Sequence, residues 1–395
     1  MNLIEAKSVL HRTHIAALGA NTRANGIHMS SPPGVGKSDM AEEYAGDLSV
    51  TIGEPVGMVI FMLATVTSAD VRGFMMPVKP LNGGSLLDTV FSRPPWFPTA
   101  GTMRVFEPDR QGGYTLHEEG TWTGPVPRVG VLFLDEFSQA DDDVKKPAAE
   151  LVYKGAVGTA KLDKGWRVLS AGNRMKDRSG VGRELMFIVN RRGLINVEAS
   201  LPAWRAWAAR QPVSKRPHYL TVSFAEKNPD VVFSDAVPEG SDPFCTPRSL
   251  CMLDTDLRAL RTPDDIARDG MPLDDVTREM AAGYVGQGAA AQYYTHLKYA
   301  DELPSIDDIV RDPRSARLPP KRDAQMVAAF MLAHNIHEDI VNPVMLYVER
   351  LGIEMQGLMV RTMLSNPTTA RIITSSPACN RWLARNKDIL LASRS

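Results

Sequence analysis

The sequence predicts an α/β fold, in which a parallel sheet is flanked by helices and followed by a mostly helical region. Two observations carry this prediction. Short apolar runs typical of buried strands alternate with segments of helical spacing as far as about residue 212. Beyond about residue 243 almost every periodic segment has helical spacing. Alternating strands and helices indicate parallel strands, because a parallel connection needs a crossover that a helix usually provides.

The first half of the chain contains the predicted strands. Buried strands are predicted at 26–30, 57–64, 129–134, 167–171 and 193–197. Helices are predicted at 3–18, 37–45, 143–153 and 201–209. Residues 67–128 are rich in Gly, Pro, Ser and Thr, so we expect an insertion with short strands or hairpins and no core of its own. Residues 154–166 have the Gly turns of a hairpin.

These segments divide the chain into three parts. We predict an α/β domain over 1–212, a polar, Pro-rich linker over 213–242, and a helical lid with further C-terminal helices over 243–395. The helices of the last part are predicted at 247–260, 273–286, 322–338, 342–364 and 379–393. A chain of 395 residues has room for two domains, since single cores stop growing near roughly 250–300 residues.

The composition is that of an ordinary globular protein, with 44% hydrophobic and 23% charged residues. A formal net charge of −1 provides no global basic field that would recruit nucleic acid or anionic lipid. The longest apolar stretch, at about 58–66, is far shorter than the ~20 residues of a membrane span. The N-terminus lacks the pattern of a secretory signal, and the three cysteines fit no zinc-binding spacing. We therefore expect a soluble, cytoplasmic protein.

The segment SPPGVGKS, Ser31–Ser38, is similar to the phosphate-binding loop template G-x-x-x-x-G-K-[ST], with Ser31 in place of the first glycine. Small residues let backbone N–H groups close around phosphate oxygens, and the following helix directs its N-terminal partial positive charge at them. Lys37 would neutralise the β and γ oxygens of ATP, and the Ser38 hydroxyl would bind Mg²⁺. The predicted ATP-binding residues here are Pro33, Gly34, Val35, Gly36, Lys37, Ser38 and Asp39. The ordinary alternative is a Gly-rich turn with a surface lysine.

The segment VGVLFLDEF, Val129–Phe137, is an apolar strand that ends abruptly in Asp135 and Glu136. A strand end beside a phosphate site is where a metal-binding acid belongs. Asp135 would hold Mg²⁺ directly or through water, and Glu136 would orient and polarise the attacking water. The alternative, an acidic turn that caps the next helix, loses weight because a phosphate loop lies upstream.

Other polar positions are weak signals individually. Asn173 follows the strand of VLSAGNR, where its amide could reach the water or the γ-phosphate, although Asn after Gly also forms turns. Arg191 and Arg192 precede the strand LINV, and a guanidinium there could stabilise the transferred phosphoryl group as an arginine finger. Arg248 falls in the first turn of a helix that Thr246 and Pro247 begin, from which it could reach the phosphates.

The order of these motifs resembles the MoxR-like branch of the AAA+ ATPases over about residues 5–260. In this resemblance Ser31–Ser38 looks like Walker A, and Asp135 with Glu136 looks like Walker B. Five further segments are similar to stretches of that branch: SADVRGF, RPPWFP, DEFSQA, GWRVLSAGNR and LPAWRAWA. Ser31 departs from the usual glycine, and residues beyond about 260 match nothing specific in the family.

The remaining positions carry over in the same way. Asn173 looks like sensor 1, Arg191 like the arginine finger that acts on a neighbouring subunit, and Arg248 like sensor 2, with Arg192 as the competing finger. The resemblance implies an ATP- and Mg²⁺-dependent hydrolase that forms a homo-oligomer, usually a hexameric ring. It also implies chaperone-like remodelling of a protein partner, often one that carries a von Willebrand factor A domain. A finger acts only on a neighbour's γ-phosphate, so the active site would lie between subunits.

Two alternatives stay open. An AAA+ motor that translocates nucleic acid has the near-zero net charge against it. The second is a scaffold that assembles when ATP binds and hydrolyses little of it. The presence of both Asp135 and Glu136 argues against this alternative.

Overall fold

The computed structural model describes residues 1–78, 88–174, 177, 186–238, 240 and 242–391. These residues form two compact units. The first comprises Met1–Ala199 together with Asp235–Val237, and the second comprises the remaining described residues. Within this described part, no helix has the length and apolar character that crossing a bilayer would need.

The first unit is built on a central sheet. Its described strands are β1 (Ile27–Ser31), β2 (Val56–Met62), β3 (Met75–Val78), β4 (Asp88–Phe91), β5 (Arg104–Pro108), β6 (Tyr114–His117), β7 (Val129–Asp135), β8 (Ala156–Val157), β9 (Ala160–Lys161), β10 (Trp166–Asn173) and β11 (Gly193–Asn196). The central sheet has seven strands in the order β11-β1-β10-β7-β2-β5-β6. The five strands from β11 to β2 run parallel, and β5 and β6 continue the sheet as antiparallel strands. β3 pairs with β4 and β8 with β9 as small hairpins.

Helices pack on both faces of this sheet. The described helices of the first unit are α1 (Leu3–Gly19), α2 (Lys37–Ile52), α3 (Ser68–Arg72), α4 (Asp142–Lys154) and α5 (Met186–Val189). Along β7, Phe133 packs in one buried cluster with Tyr44 of α2, while Leu132 and Leu134 pack in another with Ala148 of α4. Successive side chains of a strand point to opposite faces, so a strand covered on both sides needs the continuous apolar run seen in the sequence.

The N-terminal helix α1 is held against the sheet by buried polar groups. The Arg167 guanidinium, on β10, is almost fully buried and donates a hydrogen bond of 2.7 Å to the carbonyl of Leu10. The His14 ring contacts the Tyr44 hydroxyl at 2.6 Å and the Gly165 carbonyl at 3.0 Å. Burial lowers the pKa of His14 to about 4, so its ring is neutral at pH 7.

Every secondary-structure element described in the second unit is a helix. Its helices are α6 (Leu201–Arg210), α7 (Tyr219–Lys227), α8 (Pro229–Val232), α9 (Pro247–Ala259), α10 (Pro263–Ala267), α11 (Asp275–Val285), α12 (Gln287–Leu297), α13 (Ile306–Arg311), α14 (Arg322–Asn335), α15 (Val341–Val348), α16 (Ile353–Leu364), α17 (Pro367–Ser375), α18 (Pro377–Arg385) and α19 (Lys387–Leu391). They enclose one apolar core. As predicted, Thr246 caps α9 and Pro247 is its first residue.

Several sequence-based boundaries are wrong. The stretch 213–242, predicted as a linker, contains α7 and α8. Although many of their neighbours in the sequence are polar, Leu220 and Phe224 are fully buried in the helical core. α6, which the sequence analysis placed in the α/β domain, belongs to the second unit, where Trp204 is buried in the same core. The predicted helix 342–364 is divided into α15 and α16, and 379–393 into α18 and α19.

The structure has the expected short strands in the insertion at 67–128 and the expected hairpin at 154–166. Residues 67–128 contain α3 and the short strands β3 to β6, and β8 and β9 form the hairpin within 154–166. β5 and β6 also extend the central sheet, which the sequence did not indicate. The architecture confirms the predicted fold class, an α/β fold in which a parallel sheet is flanked by helices, followed by a mostly helical region.

Candidate nucleotide-binding site

The carboxyl ends of three parallel strands bring the candidate site residues to one edge of the sheet. β1 ends at Ser31, and its neighbour β10 ends at Asn173, which is the residue paired with Ser31. β7, on the other side of β10, ends at Asp135. The crevice beyond the carboxyl ends of such strands, where the strand order reverses, is the usual ligand site of open α/β sheets.

The predicted phosphate loop joins β1 directly to α2. Gly34 and Gly36 adopt left-handed conformations, with φ of 73° and 93°, which glycine reaches without the steric penalty of a side chain. Lys37 is the first residue of α2, and Ser38 and Asp39 follow it in the first turn. The loop therefore delivers the N-terminus of a helix to the sheet edge, where backbone N–H groups and the helix dipole favour an anion.

The Lys37 side chain lies inside this loop. Its Nζ donates hydrogen bonds to the Ser31 Oγ at 2.7 Å, the Pro32 carbonyl at 3.3 Å and the Asn173 Oδ1 at 3.3 Å. Lys37 is only 9% exposed, so the amine is not a solvated surface group. The ordinary alternative of a surface lysine on a Gly-rich turn is therefore wrong for this loop.

Ser31 occupies a place that does not require glycine. It is the last residue of β1, so its backbone is extended, and its side chain is fully buried. The hydroxyl donates to the Pro32 carbonyl at 2.8 Å and accepts from Lys37. The departure from the template thus supplies the amine with an oxygen that a glycine would lack.

Ser38 and Asp135 form the candidate Mg²⁺ site. The Ser38 hydroxyl donates to the Asp135 Oδ2 at 2.8 Å, which joins the start of α2 to the end of β7. A hydroxyl and one carboxylate are hard oxygen donors of the kind Mg²⁺ uses when phosphates and water complete its coordination. The described residues contain no cluster of three or more His, Cys, Asp or Glu side chains suited to a metal.

Glu136 has an unusual backbone at the same edge. Its φ of 54° and ψ of 31° lie in the left-handed region, which is uncommon for a residue with a side chain. Its N–H donates to the Asp135 Oδ1 at 2.9 Å, and a 3-10 turn, Phe137–Gln139, follows at once. Strained conformations of this kind are found at functional sites, where the surroundings hold them in place.

The two candidate finger arginines differ in their surroundings. Arg191 is exposed, with its Cζ 5.8 Å from the centre of the Tyr153 ring. Arg192 is half-buried, and its Cζ lies 4.6 Å from the centre of the Phe137 ring, next to the Walker B-like pair. An exposed side chain can extend to a neighbouring molecule, whereas one packed on a core ring cannot do so without losing that contact.

His28 is a buried residue of the site that the sequence analysis missed. It lies on β1, its Nδ1 is 3.0 Å from the Ser170 Oγ, and its ring meets Phe137 edge-on at 5.6 Å. Burial lowers the pKa of His28 well below its ordinary value, and the charges of Arg192 and Lys37 lower it further. The ring is therefore neutral and lies close enough to two cations for their charges to act on it. A histidine in an apolar strand that leads into the loop is the signal that could have identified it.

Arg174 also escaped the sequence analysis, although it directly follows Asn173. Its guanidinium pairs with the buried Asp177, with Nη2 2.8 Å from Oδ1, and it also contacts Asp235. Burial works against the charge, but the hydrogen bonds to the two carboxylates raise the pKa of Arg174. These bonds fix the backbone directly after Asn173, the last residue of β10.

The last predicted site residue, Arg248, lies in the first turn of α9 and is exposed. It belongs to the second compact unit. Its role in nucleotide sensing stays a prediction. The same holds for contacts of Pro33, Val35 and Asp39 with ATP, although the structure places all three in the loop and the first turn of α2.

Comparisons with known proteins add little to this picture. No protein-family model matches the chain, and no curated protein matches it. Two single-substitution variants of RuvB from Thermotoga maritima are similar to this chain. The first covers 79% of this chain and 76% of its own, at 13% identity and a TM-score of 0.37. The second covers 78% of this chain and 74% of its own, at 14% identity and a TM-score of 0.34. A Cytophaga hutchinsonii protein described provisionally as an ATPase is similar over 72% of this chain and 89% of its own, at 12% identity and a TM-score of 0.28. Similarities this low carry no argument about function, and the fold assignment rests on the strand order, the loop and the helices described above.

Proposed function

We propose that this chain is a Mg-ATP-dependent AAA+ ATPase of the MoxR type, which acts as an oligomeric ring and remodels or activates a protein partner. The observation that carries the proposal is the hydrogen-bonded set at the sheet edge. Lys37 reaches Asn173, and Ser38 reaches Asp135, so four predicted site residues from three elements meet there. Glu136 directly follows Asp135.

Each residue has a role that its position supports. The loop N–H groups and the start of α2 would hold the phosphates, and Lys37 would neutralise their oxygens. Ser38 and Asp135 would hold Mg²⁺, which when bound shields the charge of the β and γ oxygens. The Ser38 hydroxyl donates a hydrogen bond to Asp135, so both groups are already close enough to share one ion.

Glu136 would accept the proton of the attacking water and orient that water. Its carboxylate follows the metal-binding aspartate, and its left-handed backbone fixes the turn from which the side chain emerges. Asn173 would report the state of the γ-phosphate, because its amide oxygen already contacts the Lys37 amine.

The exposure of Arg191 supports its assignment as a finger that acts on a neighbouring subunit. Arg192 would instead keep Phe137 and the start of the following turn in place. In this proposal a complete site needs two copies of the chain, so turnover depends on assembly. Arg248 is assigned to nucleotide sensing on the grounds of its place at the start of α9.

Phosphate release by the Glu136→Gln variant tests the proposal. We expect it to bind ATP as well as the unchanged protein but to hydrolyse it roughly 10²–10⁴ times more slowly, because general-base assistance is lost. Glu119→Gln, at an exposed position of the same unit, is the matched control and should leave turnover unchanged. Ordinary turnover in Glu136→Gln would remove that residue from its role. ATP-dependent assembly without phosphate release in the unchanged protein would replace hydrolysis by a scaffold function.

A further inference from the structure

A cleft in the second unit combines apolar walls with an arginine that has no acidic partner among the residues described by the structure. It is partly open to solvent and lies among α6, α7, α14 and the start of α17. Ala208, Pro217, Val222, Phe330 and Ala333 form its apolar walls. All of these elements belong to the helical unit, away from the phosphate loop in the sequence.

Arg216 is the cation of this cleft. Its Nη2 donates a long hydrogen bond of 3.3 Å to the Gln211 carbonyl, and its Nε is buried with no hydrogen-bond partner among the described residues. Burial lowers the pKa of Arg216, and no carboxylate in the described part of the chain raises it again. A guanidinium has five donors in a planar fork, so most of the binding capacity of Arg216 is unused.

A second arginine of the same cleft shows what a compensated guanidinium looks like here. Arg205 donates to both carboxylate oxygens of Glu226 at 2.9 Å. The two arginines therefore differ in that one already holds a carboxylate and the other does not. Among the described residues of the cleft walls, none neutralises the positive charge of Arg216.

His334 adds a neutral polar group on α14. Its ring makes no hydrogen bond within the described part of the chain. Burial lowers the pKa of His334 to about 4, with further lowering by His218, Arg216 and Arg258 and opposition from Asp269. At neutral pH the ring can donate one N–H without adding a second charge. Asp269 is itself engaged by His218 and Arg261, so it does not neutralise Arg216.

We propose that this cleft binds a carboxylate carried on a short apolar group, with the carboxylate on Arg216 and the apolar group against Phe330 and Val222. One uncompensated guanidinium matches the single charge and planar shape of a carboxylate, which it can hold through two parallel hydrogen bonds. A phosphate dianion would bring a second charge that these walls do not neutralise. The same chemistry occurs in a small carboxylic acid and in the C-terminus of a polypeptide that ends in an apolar residue. The proposal does not depend on the nucleotide site.

Titration calorimetry on the full chain tests this with two probes, 3-methylbutanoate and the tripeptide Ala-Ala-Leu with a free C-terminus. We expect at least one probe to bind, and Arg216→Gln to weaken that binding by at least about tenfold, because the partner of a buried charge is removed. Lys215→Gln removes an exposed positive charge one residue away and should leave the affinity unchanged. Amidated Ala-Ala-Leu should not bind.

The two probes distinguish the two sources of the carboxylate. Binding of the acid alone identifies a small-molecule site, and binding of the free peptide assigns the cleft to a polypeptide terminus. Failure of both probes, or binding that Arg216→Gln leaves unchanged, overturns the proposal. Loss of binding through misfolding is distinguished by thermal unfolding without ligand. Arg216→Gln should unfold no lower than the unchanged chain, because a half-buried charge with no acidic partner among the described residues is removed. Arg216→Lys, which keeps the charge and loses the fork, should bind with intermediate affinity.

Discussion

The Lys37 amine lies 2.7 Å from the hydroxyl of Ser31, the residue that replaces the first glycine of the phosphate-loop template. The serine oxygen is nearer to the amine than the Pro32 carbonyl or the Asn173 amide oxygen. In the proposed function the amine must turn toward phosphate oxygens. Ser31 therefore competes with the nucleotide for the same group.

Replacing Ser31 by alanine should tighten nucleotide binding. The variant loses a hydrogen bond that stabilises only the nucleotide-free loop, and such a bond contributes about 0.5–1.5 kcal/mol, or roughly two- to twelvefold in affinity. Equilibrium binding of a non-hydrolysable ATP analogue measures the change. Ser30→Ala, one residue earlier on β1, is the control. Weaker binding in Ser31→Ala would show that the hydroxyl supports the nucleotide-bound loop instead.

Replacing Asp135 by asparagine should uncouple nucleotide binding from Mg²⁺. The unchanged protein should bind ATP more tightly with Mg²⁺ than with a chelator, because Ser38 and Asp135 share the ion. Asp135→Asn should show the chelator affinity under both conditions. Asp143→Asn, an exposed acid in the first turn of α4, should behave like the unchanged protein. An undiminished Mg²⁺ effect in Asp135→Asn would place the ion elsewhere.

The two neighbouring arginines should separate into a functional and a structural residue. Arg192→Ala should lower the free energy of unfolding by about 1–2 kcal/mol, because the cation over Phe137 and its packed stem are removed. Arg191→Ala should leave stability nearly unchanged, retain nucleotide affinity and lose hydrolysis. Denaturant unfolding and phosphate release, measured on both variants, check this. If Arg192→Ala is inactive but stable, the finger assignment is wrong.

Acid should destabilise the first unit through His14. Its pKa is about 4 in the folded chain against an ordinary value of 6.5, so the unfolded chain takes up the proton first as pH falls. The stability it contributes is present above pH 6.5 and is lost between pH 6.5 and about 4. From about pH 7 to about pH 5 the loss from this residue is about 2 kcal/mol.

Denaturant unfolding of His14→Gln at those two pH values measures this contribution. The variant should lose about 2 kcal/mol less than the unchanged chain on acidification. His337→Gln is the control, since that ring is largely exposed and should not alter the pH dependence. An identical pH dependence in His14→Gln would contradict the account of the buried ring.

The sequence was sufficient for the parts of the site that depend on local pattern. Apolar runs that end in Asp135 and Asn173 indicated strand ends, and Gly36 with Lys37 indicated the loop and helix. Parallel strands then bring their carboxyl ends to one edge, so the meeting of these residues follows from the alternation of elements.

Features that depend on packing between distant segments were out of reach of the sequence. Arg191 and Arg192 are the same residue type in adjacent positions, and only the burial of Arg192 on Phe137 separates them. The polar stretch around Tyr219 and Phe224 has the composition of a linker, and the helices that bury those two rings are distant in the sequence. In the sequence Ser31 is only a departure from the motif template, and its hydrogen bond with Lys37 is seen only in the structure.

A mixing experiment tests most directly the central claim that two copies of the chain complete one ATPase site. Glu136→Gln supplies an intact Arg191, and Arg191→Ala supplies an intact Glu136, so each variant alone should release almost no phosphate. Equal amounts of the two should recover a measurable fraction of the unchanged activity, because some interfaces then combine both intact residues. No recovery on mixing, with both variants folded and able to bind ATP, would contradict the shared site.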